Sequence, residues 1–317
     1  MTVNALWCTA PRQAEIRPAE MGDGVTVVTL FTAISRGTER LVFEGRVPDS
    51  EMERMRAPAQ EGAFSFPVKY GYCAVGRVIE GTLSGLDVFA LHPHQTRFRM
   101  AEAMLTPLPD GLPAERAVLG ANMETALNIL WDSGAAAGDR IAVIGAGVIG
   151  ALTGYLATRM PGAEVTLIDT NPTRAAQAEA LGCAFAAPDN APTDCDVVIH
   201  ATATAAGLAL ALGCAGQDAT VVEASWYGAG TTPVPFGGAF HSRRLRLVSS
   251  QVGHIPPARA PRWNHNRRMA KALDLLCDPA LNTLISGETA FDDLPAEYGT
   301  ILADQCTLCH RIRYQQN

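Results

Sequence analysis

The sequence predicts an α/β protein in which an all-β domain precedes a doubly wound parallel sheet, with a short mixed tail returning to the first domain. Three observations carry this expectation. From residue 140 onward, strand-like and helix-like runs alternate regularly, as right-handed βαβ crossovers require. Residues 1–118 instead hold short strand-like runs separated by Gly and Pro turns. One Gly-rich turn, "IAVIGAGVIG", joins an apolar strand to a helix. The expected bounds are 1–118, completed by 251–317, for the first domain and 119–250 for the second.

In chain order, "VTVVTLFTAIS", "AVGRVIEG" and "LDVFALHP" read as strands of the first domain. "PDGLPAERAVLGANMETALNILWD" reads as a linking helix, with Leu119, Met123, Ala126, Leu127 and Leu130 at helical spacing. The second domain then runs "RIAVIG" strand, "VIGALTGYLATRM" helix, "EVTLID" strand, "NPTRAAQAEALG" helix, "DVVIHATA" strand and "AGLALALGCAG" helix. "ATVVEASWYG" and "RLRLVSS" add two strands, and "RWNHNRRMAKALDLL" closes the pattern with an amphipathic helix. A cleft between the domains is the expected ligand site.

Composition narrows the function. The 317 residues are 48% hydrophobic, enough for sizeable cores. Net charge is −7 with Lys and Arg spread along the chain, so no clustered basic face of the kind that phosphate backbones require is expected, and a small-molecule partner is expected instead of nucleic acid. Two uncharged runs, 141–158 and 197–217, approach the length of a membrane span. Their internal Gly and small residues read better as a buried strand, a turn and a helix, so no membrane association is expected. The opening "MTVNALWCTAPRQ" lacks the pattern of a signal peptide, and a cytoplasmic location with reduced thiols is expected for the eight cysteines. "CTLCH" at 306–310 has the spelling of a c-type haem attachment site, which would require export; a plain C-terminal segment is expected.

The glycine turn is the most informative motif. Gly145, Gly147 and Gly150 make G-x-G-x-x-G between strand and helix, and the next strand ends at Asp169 about twenty residues on, as a dinucleotide fingerprint requires. Gly145 permits the tight turn, Gly147 the approach of a pyrophosphate, and Gly150 close helix packing, while the helix start offers N–H groups to phosphate. Ala146, Val148 and Ile149 lie in the same turn, and Ala201 and Thr202 close the third strand; all five belong to the expected cofactor set. Asp169 should accept from the ribose hydroxyls and repel a 2′-phosphate, favouring NAD(H) over NADP(H), although Arg174 stands in the next turn. The alternative is that Asp169 merely caps the following helix.

A β domain, a linking helix, a dinucleotide domain and a returning tail together resemble the medium-chain dehydrogenase/reductase superfamily, that of the zinc alcohol dehydrogenases, over essentially the whole chain. Through "ISRGTERLVFEGRVP", "GYCAVGRV" and "IDTNPTR" the resemblance is closest to a zinc-lacking group that includes bacteriochlorophyllide a dehydrogenase-like proteins. The resemblance implies a GroES-like β domain, a Rossmann domain and a homodimer. It also implies three zinc ligands, and the matching positions here read Ser35, Tyr72 and Ala121: a hydroxyl, a phenol and a methyl where zinc takes thiolate, imidazole or carboxylate. The loop with four structural-zinc cysteines is missing too, so no metal is expected. His92 and His94 in "FALHPHQTRF" share a strand face but have Pro93 between them and no third ligand nearby.

Without zinc, a donor must stabilise the developing alkoxide. The strands that line the family's active site offer Ser35, Thr38, Glu39, Lys69, Tyr72 and His94. Each has a structural alternative. Ser35 and Thr38 could satisfy the "SRGTE" turn, Lys69 could be a solvated rim charge, and Tyr72 a packed aromatic. Glu124 could face the cleft or pair with an arginine. The expected function is a zinc-independent, NAD(H)-dependent oxidoreductase interconverting a secondary alcohol and its ketone. Reduction of an activated alkene or quinone, and a non-catalytic dinucleotide-binding protein, are the alternatives.

Overall fold

In the computed structural model, residues 3–315 are described. The chain divides into two compact units, 1–121 with 266–317, and 122–265. The second unit therefore reaches 15 residues past its expected end at 250. Local packing explains the extension: Trp263 packs on Trp131 with ring centroids 4.8 Å apart, and His265 Nε2 lies 3.1 Å from the Gly253 carbonyl oxygen.

The first unit opens with β1 (Asn4–Ala10), β2 (Gln13–Pro18) and β3 (Val25–Ile34), then α1 (Arg36–Phe43). Short strands follow: β4 (Glu61–Gly62), β5 (Val68–Lys69), β6 (Ala74–Val78), β7 (Asp87–Ala90), β8 (Arg97–Met100) and β9 (Thr106–Pro107). The expected linking helix is broken in two, α2 (Ala114–Ala117) and α3 (Gly120–Ser133). At the break a side chain on Gly120 would meet the Phe89 ring at 2.7 Å, so the chain passes close over the β domain there. On α3, Met123 and Ala126 are buried as expected, whereas Leu127 and Leu130 are only half-buried.

The second unit alternates β10 (Arg140–Ile144), α4 (Val148–Ala157), β11 (Glu164–Ile168), α5 (Arg174–Ala180), β12 (Ala184–Ala186), β13 (Cys195–His200), α6 (Ala205–Cys214), β14 (Ala215–Glu223) and β15 (Arg246–Ser249). All neighbours are parallel, in the order β12-β11-β10-β13-β14-β15. This is the doubly wound arrangement of two mononucleotide-binding halves about the first strand. The middles of its strands are apolar because helices cover both faces: Ala142, Ile144, Ile168, Val198 and Val221 share one core. The two uncharged runs resolve into β10 with α4 and β13 with α6, and among the described residues no helix is long and apolar enough to cross a membrane.

The chain then returns to the first unit through α7 (His265–Leu275), β16 (Ile285–Ala290), α8 (Leu294–Ala303) and β17 (Cys309–Arg313). The "CTLCH" segment enters β17, which lies between β16 and β3 in a seven-stranded sheet. Cys309 is buried, and burial pushes its thiol up to about 12, so it behaves as a core group while Cys306 is exposed. The remaining path of that sheet is β3-β6-β7-β9, with β8 also on β3, and a second sheet runs β2-β1-β5-β4. Apart from the parallel pair β16–β17, the ladders of this unit are antiparallel. The molecule thus joins an antiparallel-rich GroES-like β domain to a Rossmann domain.

The β domain's core centres on Phe98, wholly buried with Val27, Val78, Val88 and Met100. Truncating a buried aromatic removes transfer free energy and leaves a cavity. Phe98→Ala is therefore expected to lower stability by about 3–5 kcal/mol, measured as a shift in the urea unfolding midpoint.

Candidate functional site

In the second unit the site is built on the turn between β10 and α4. Gly145 sits at φ +104, in the region that favours glycine. A Cβ on Gly150 would lie 1.9 Å from the Gly145 carbonyl oxygen, so α4 can start against the turn only without a side chain there. At Gly147 an added Cβ would meet nothing within 4 Å. Gly147 also caps α4 with no side-chain hydrogen bond, so the first-turn N–H groups of half-buried Val148 and Ile149 are left for an anion.

Asp169 follows β11 directly. Its Oδ2 accepts from the Ala146 N–H at 2.8 Å and its Oδ1 from the Asn171 N–H at 2.8 Å. These bonds aim the carboxylate along the turn and leave further lone pairs on each oxygen for ribose hydroxyls. Arg174, the first residue of α5, is buried, and its guanidinium lies 3.5 Å from Gln177 Oε1. Ala201 N–H donates to the Ile144 carbonyl at 2.9 Å, and a Cβ on Gly145 would meet the Thr202 methyl at 2.7 Å. The open space at Gly147, the uncapped helix start and the Asp169 carboxylate fit a dinucleotide.

In the first unit a buried polar network gathers on Glu39, in α1. Its Oε1 accepts the Ser35 backbone N–H at 2.7 Å. Its Oε2 accepts the Tyr298 hydroxyl at 2.7 Å and lies 3.0 Å from His94 Nε2. His94 Nδ1 is 2.7 Å from the Thr32 hydroxyl, which is 3.2 Å from the Tyr314 hydroxyl. With Nε2–H donating to Glu39, Nδ1 becomes the acceptor for Thr32, so donors run one way from Tyr314 to Glu39. Glu39 and His94 are fully buried. Burial, and then the Glu39 charge, hold the Tyr298 phenol well above its ordinary range.

The sequence-derived candidates thus separate. Glu39 and His94 meet, while Ser35 contributes its backbone N–H. Thr38 is half-buried in the first turn of α1. Lys69 is not a solvated rim charge: it is 2% exposed, ion-paired with Glu61, and donates to Gln95 Oε1 at 2.8 Å. Its place explains the correction: β5 lies between β1 and β4, where the amine meets Glu61, its register partner, and Gln95. Tyr72 is half-buried beyond Gly71, whose φ is +150 and whose added Cβ would lie 2.5 Å from His94 N. The turn carrying Tyr72 therefore rests on the backbone of His94.

Tyr298, Tyr314 and Thr32 are absent from the sequence-derived set, and no local pattern marks the two tyrosines. The two histidines also separate, because the segment after β7 is irregular and not a strand. His92 stacks on Phe98 with centroids 3.9 Å apart, while His94 turns to Glu39. Among the described residues no group of three or more His, Cys, Asp or Glu is placed to hold a metal. Cys73 is buried with its Sγ 3.2 Å from the Val118 carbonyl, and burial raises its thiol further. With Ala121 also buried, the positions that the family resemblance assigns to zinc do not fit it.

No family model and no curated protein matches the sequence. Solved structures share the fold at low identity. L-Idonate 5-dehydrogenase of Escherichia coli K-12 superposes with a TM-score of 0.78 at 13% identity, over 99% of this chain and 98% of that one. A short chain alcohol dehydrogenase of E. coli CFT073, complexed with NADH, gives 0.77 at 15%, over 99% and 100%. The yhdH oxidoreductase of Salmonella enterica, in complex with NADP, gives 0.71 at 17%, over 99% and 100%.

His92 generates a stability test. Burial, aided by the charges of Lys69 and His94 and opposed by a bond to the Pro93 carbonyl, lowers it from 6.5 to about 3. The unfolded chain then binds the extra proton between these values, so stability is lost as pH falls from about 6.5 towards about 3 and is unaffected by this group above that window. Urea midpoints measured across the window should fall more steeply for the wild type than for His92→Asn.

Proposed function

We propose that the protein is an NAD(H)-dependent oxidoreductase that interconverts a secondary alcohol and its ketone without zinc. The observation that carries this reading is the phosphate cradle: an open turn at Gly147, an uncapped α4 and a carboxylate closing β11. Its support from likeness is the fold shared with an alcohol dehydrogenase complexed with NADH and an oxidoreductase in complex with NADP. A bound dinucleotide would accept or supply the hydride. Asp169 would hold its ribose and disfavour a 2′-phosphate, so NADH should bind more tightly than NADPH.

The chain's own task is then to hold the substrate oxygen and its proton. Tyr72 is the proposed donor, because its phenol is only half-buried while Glu39 and His94 are sealed in the core. Half-buried Thr38 and Ser35 are the further hydroxyls proposed for that task. The His94–Glu39 pair is a support behind the Gly71 turn and fixes where Tyr72 begins. Membership of the zinc-lacking group, a cytoplasmic setting and a homodimer belong to the same reading.

Carbinol substrates of aliphatic, aromatic and tetrapyrrole type, screened with NAD⁺, give the assay. Tyr72→Phe should lose turnover on the order of a hundredfold with NADH affinity unchanged. Full turnover in that variant with loss in Thr38→Ala would move the donor to α1, and tighter binding of NADPH than NADH would overturn the ribose assignment.

A further inference from the structure

A second polar cluster stands on the carboxyl edge of the Rossmann sheet, and of its residues only Thr202 has so far been given a role. His200 and Glu223 are the last residues of β13 and β14 and are register partners. Across the sheet they continue the row Ile168–Ile144–His200–Glu223–Ser249, one step below Asp169 and Gly145. Glu223 Oε2 is 2.7 Å from His200 Nδ1 and accepts the Tyr227 hydroxyl at 3.0 Å, and Oε1 accepts the Ser225 N–H at 2.8 Å. His200 is wholly buried, with Nε2 2.6 Å from the Thr202 hydroxyl, itself 2.8 Å from that of Thr204. The Ala203 N–H donates to Ser225 Oγ at 3.0 Å, tying the loop after β13 to the loop after β14.

The surroundings are cut to admit this cluster. A Cβ on Gly207, in the first turn of α6, would meet Thr202 Oγ1 at 2.3 Å and His200 Nε2 at 2.6 Å. The order Thr202–His200–Glu223 resembles a nucleophile, base and orienting acid, but Thr202 lies between His200 and Thr204 and its hydroxyl is engaged on both sides. The side chains therefore bond mainly to one another. They hold two loops, 201–204 and 224–227, in which the N–H groups of Ala201, Ala203, Ala224 and Ser225 are bonded within the protein.

A dinucleotide whose adenosine half is held by Asp169 on the β11 side must extend across β10, at the switch point of the strand order, onto the ends of β13 and β14. A nicotinamide carboxamide carries one donor group and one acceptor, the pattern that backbone C=O and N–H groups satisfy. We propose that Glu223, acting through His200, Ser225 and Tyr227, is a positioning residue that holds these two loops to receive the nicotinamide half of the cofactor. The inference rests on the dinucleotide-binding reading above. Burial raises the Glu223 carboxyl, and the bonds from His200 and Ser225 outweigh this to leave it below its ordinary value, as suits a carboxylate that only accepts.

The test compares NADH with ADP-ribose, which lacks the nicotinamide, by titration calorimetry on the full chain. Glu223→Gln should weaken NADH about tenfold and ADP-ribose by less than about twofold. Tyr227→Phe, which removes one donor and no charge, should weaken NADH about threefold and spare ADP-ribose, and it decides the matter if Glu223→Gln does not fold. Unchanged NADH affinity, or equal losses for both ligands, overturns the positioning role. A wild-type protein that binds neither ligand overturns the dinucleotide reading itself.

Discussion

The β domain is organised around one buried carboxylate. Glu39 collects the Ser35 N–H, the Tyr298 hydroxyl and His94, so α1, the segment between β7 and β8, and the returning α8 all converge on two oxygen atoms. Burying a carboxylate costs several kcal/mol unless its lone pairs are met, and taking one hydrogen-bond donor from such a set costs about 1.5–3 kcal/mol. The segments that bring these donors are thereby constrained to fixed relative positions. The turn carrying Tyr72 inherits its place through Gly71, which rests on the His94 backbone.

That constraint fixes both the start of α1, at Ser35, and the turn that carries Tyr72. Hydrogen bonds to Glu39 tie α1, the segment between β7 and β8, and α8 together. The two sets of polar residues also divide the work. Fully buried Glu39, His94 and Thr32 hold one another, while Ser35, Thr38 and Tyr72 are only half-buried.

The Rossmann domain was legible in the sequence because its signals are local. Apolar strands, a glycine turn and amphipathic helices repeat within short windows, and each element buries itself against its neighbours. β12 escaped notice because three residues, "AFA", carry no period. The first unit was less legible, since β4, β5 and β9 are two residues long and depend on partners elsewhere. Glu39 and His94 could each be named, but not their bond across 55 residues, and Tyr298 joins Glu39 across 259. The His200–Glu223 pair did have a sequence signal. In "DVVIH" and "TVVE" a polar residue ends an apolar parallel strand, and two such ends on adjacent strands must meet.

We propose that hydrogen bonds to Glu39, and not a metal, hold Ser35 and the turn carrying Tyr72. Elemental analysis by plasma mass spectrometry, on protein expressed with added zinc and desalted without chelator, tests it most directly. The account predicts zinc and other transition metals far below one per chain, with turnover unaffected by prolonged EDTA. A stoichiometric zinc whose removal abolishes turnover would contradict it.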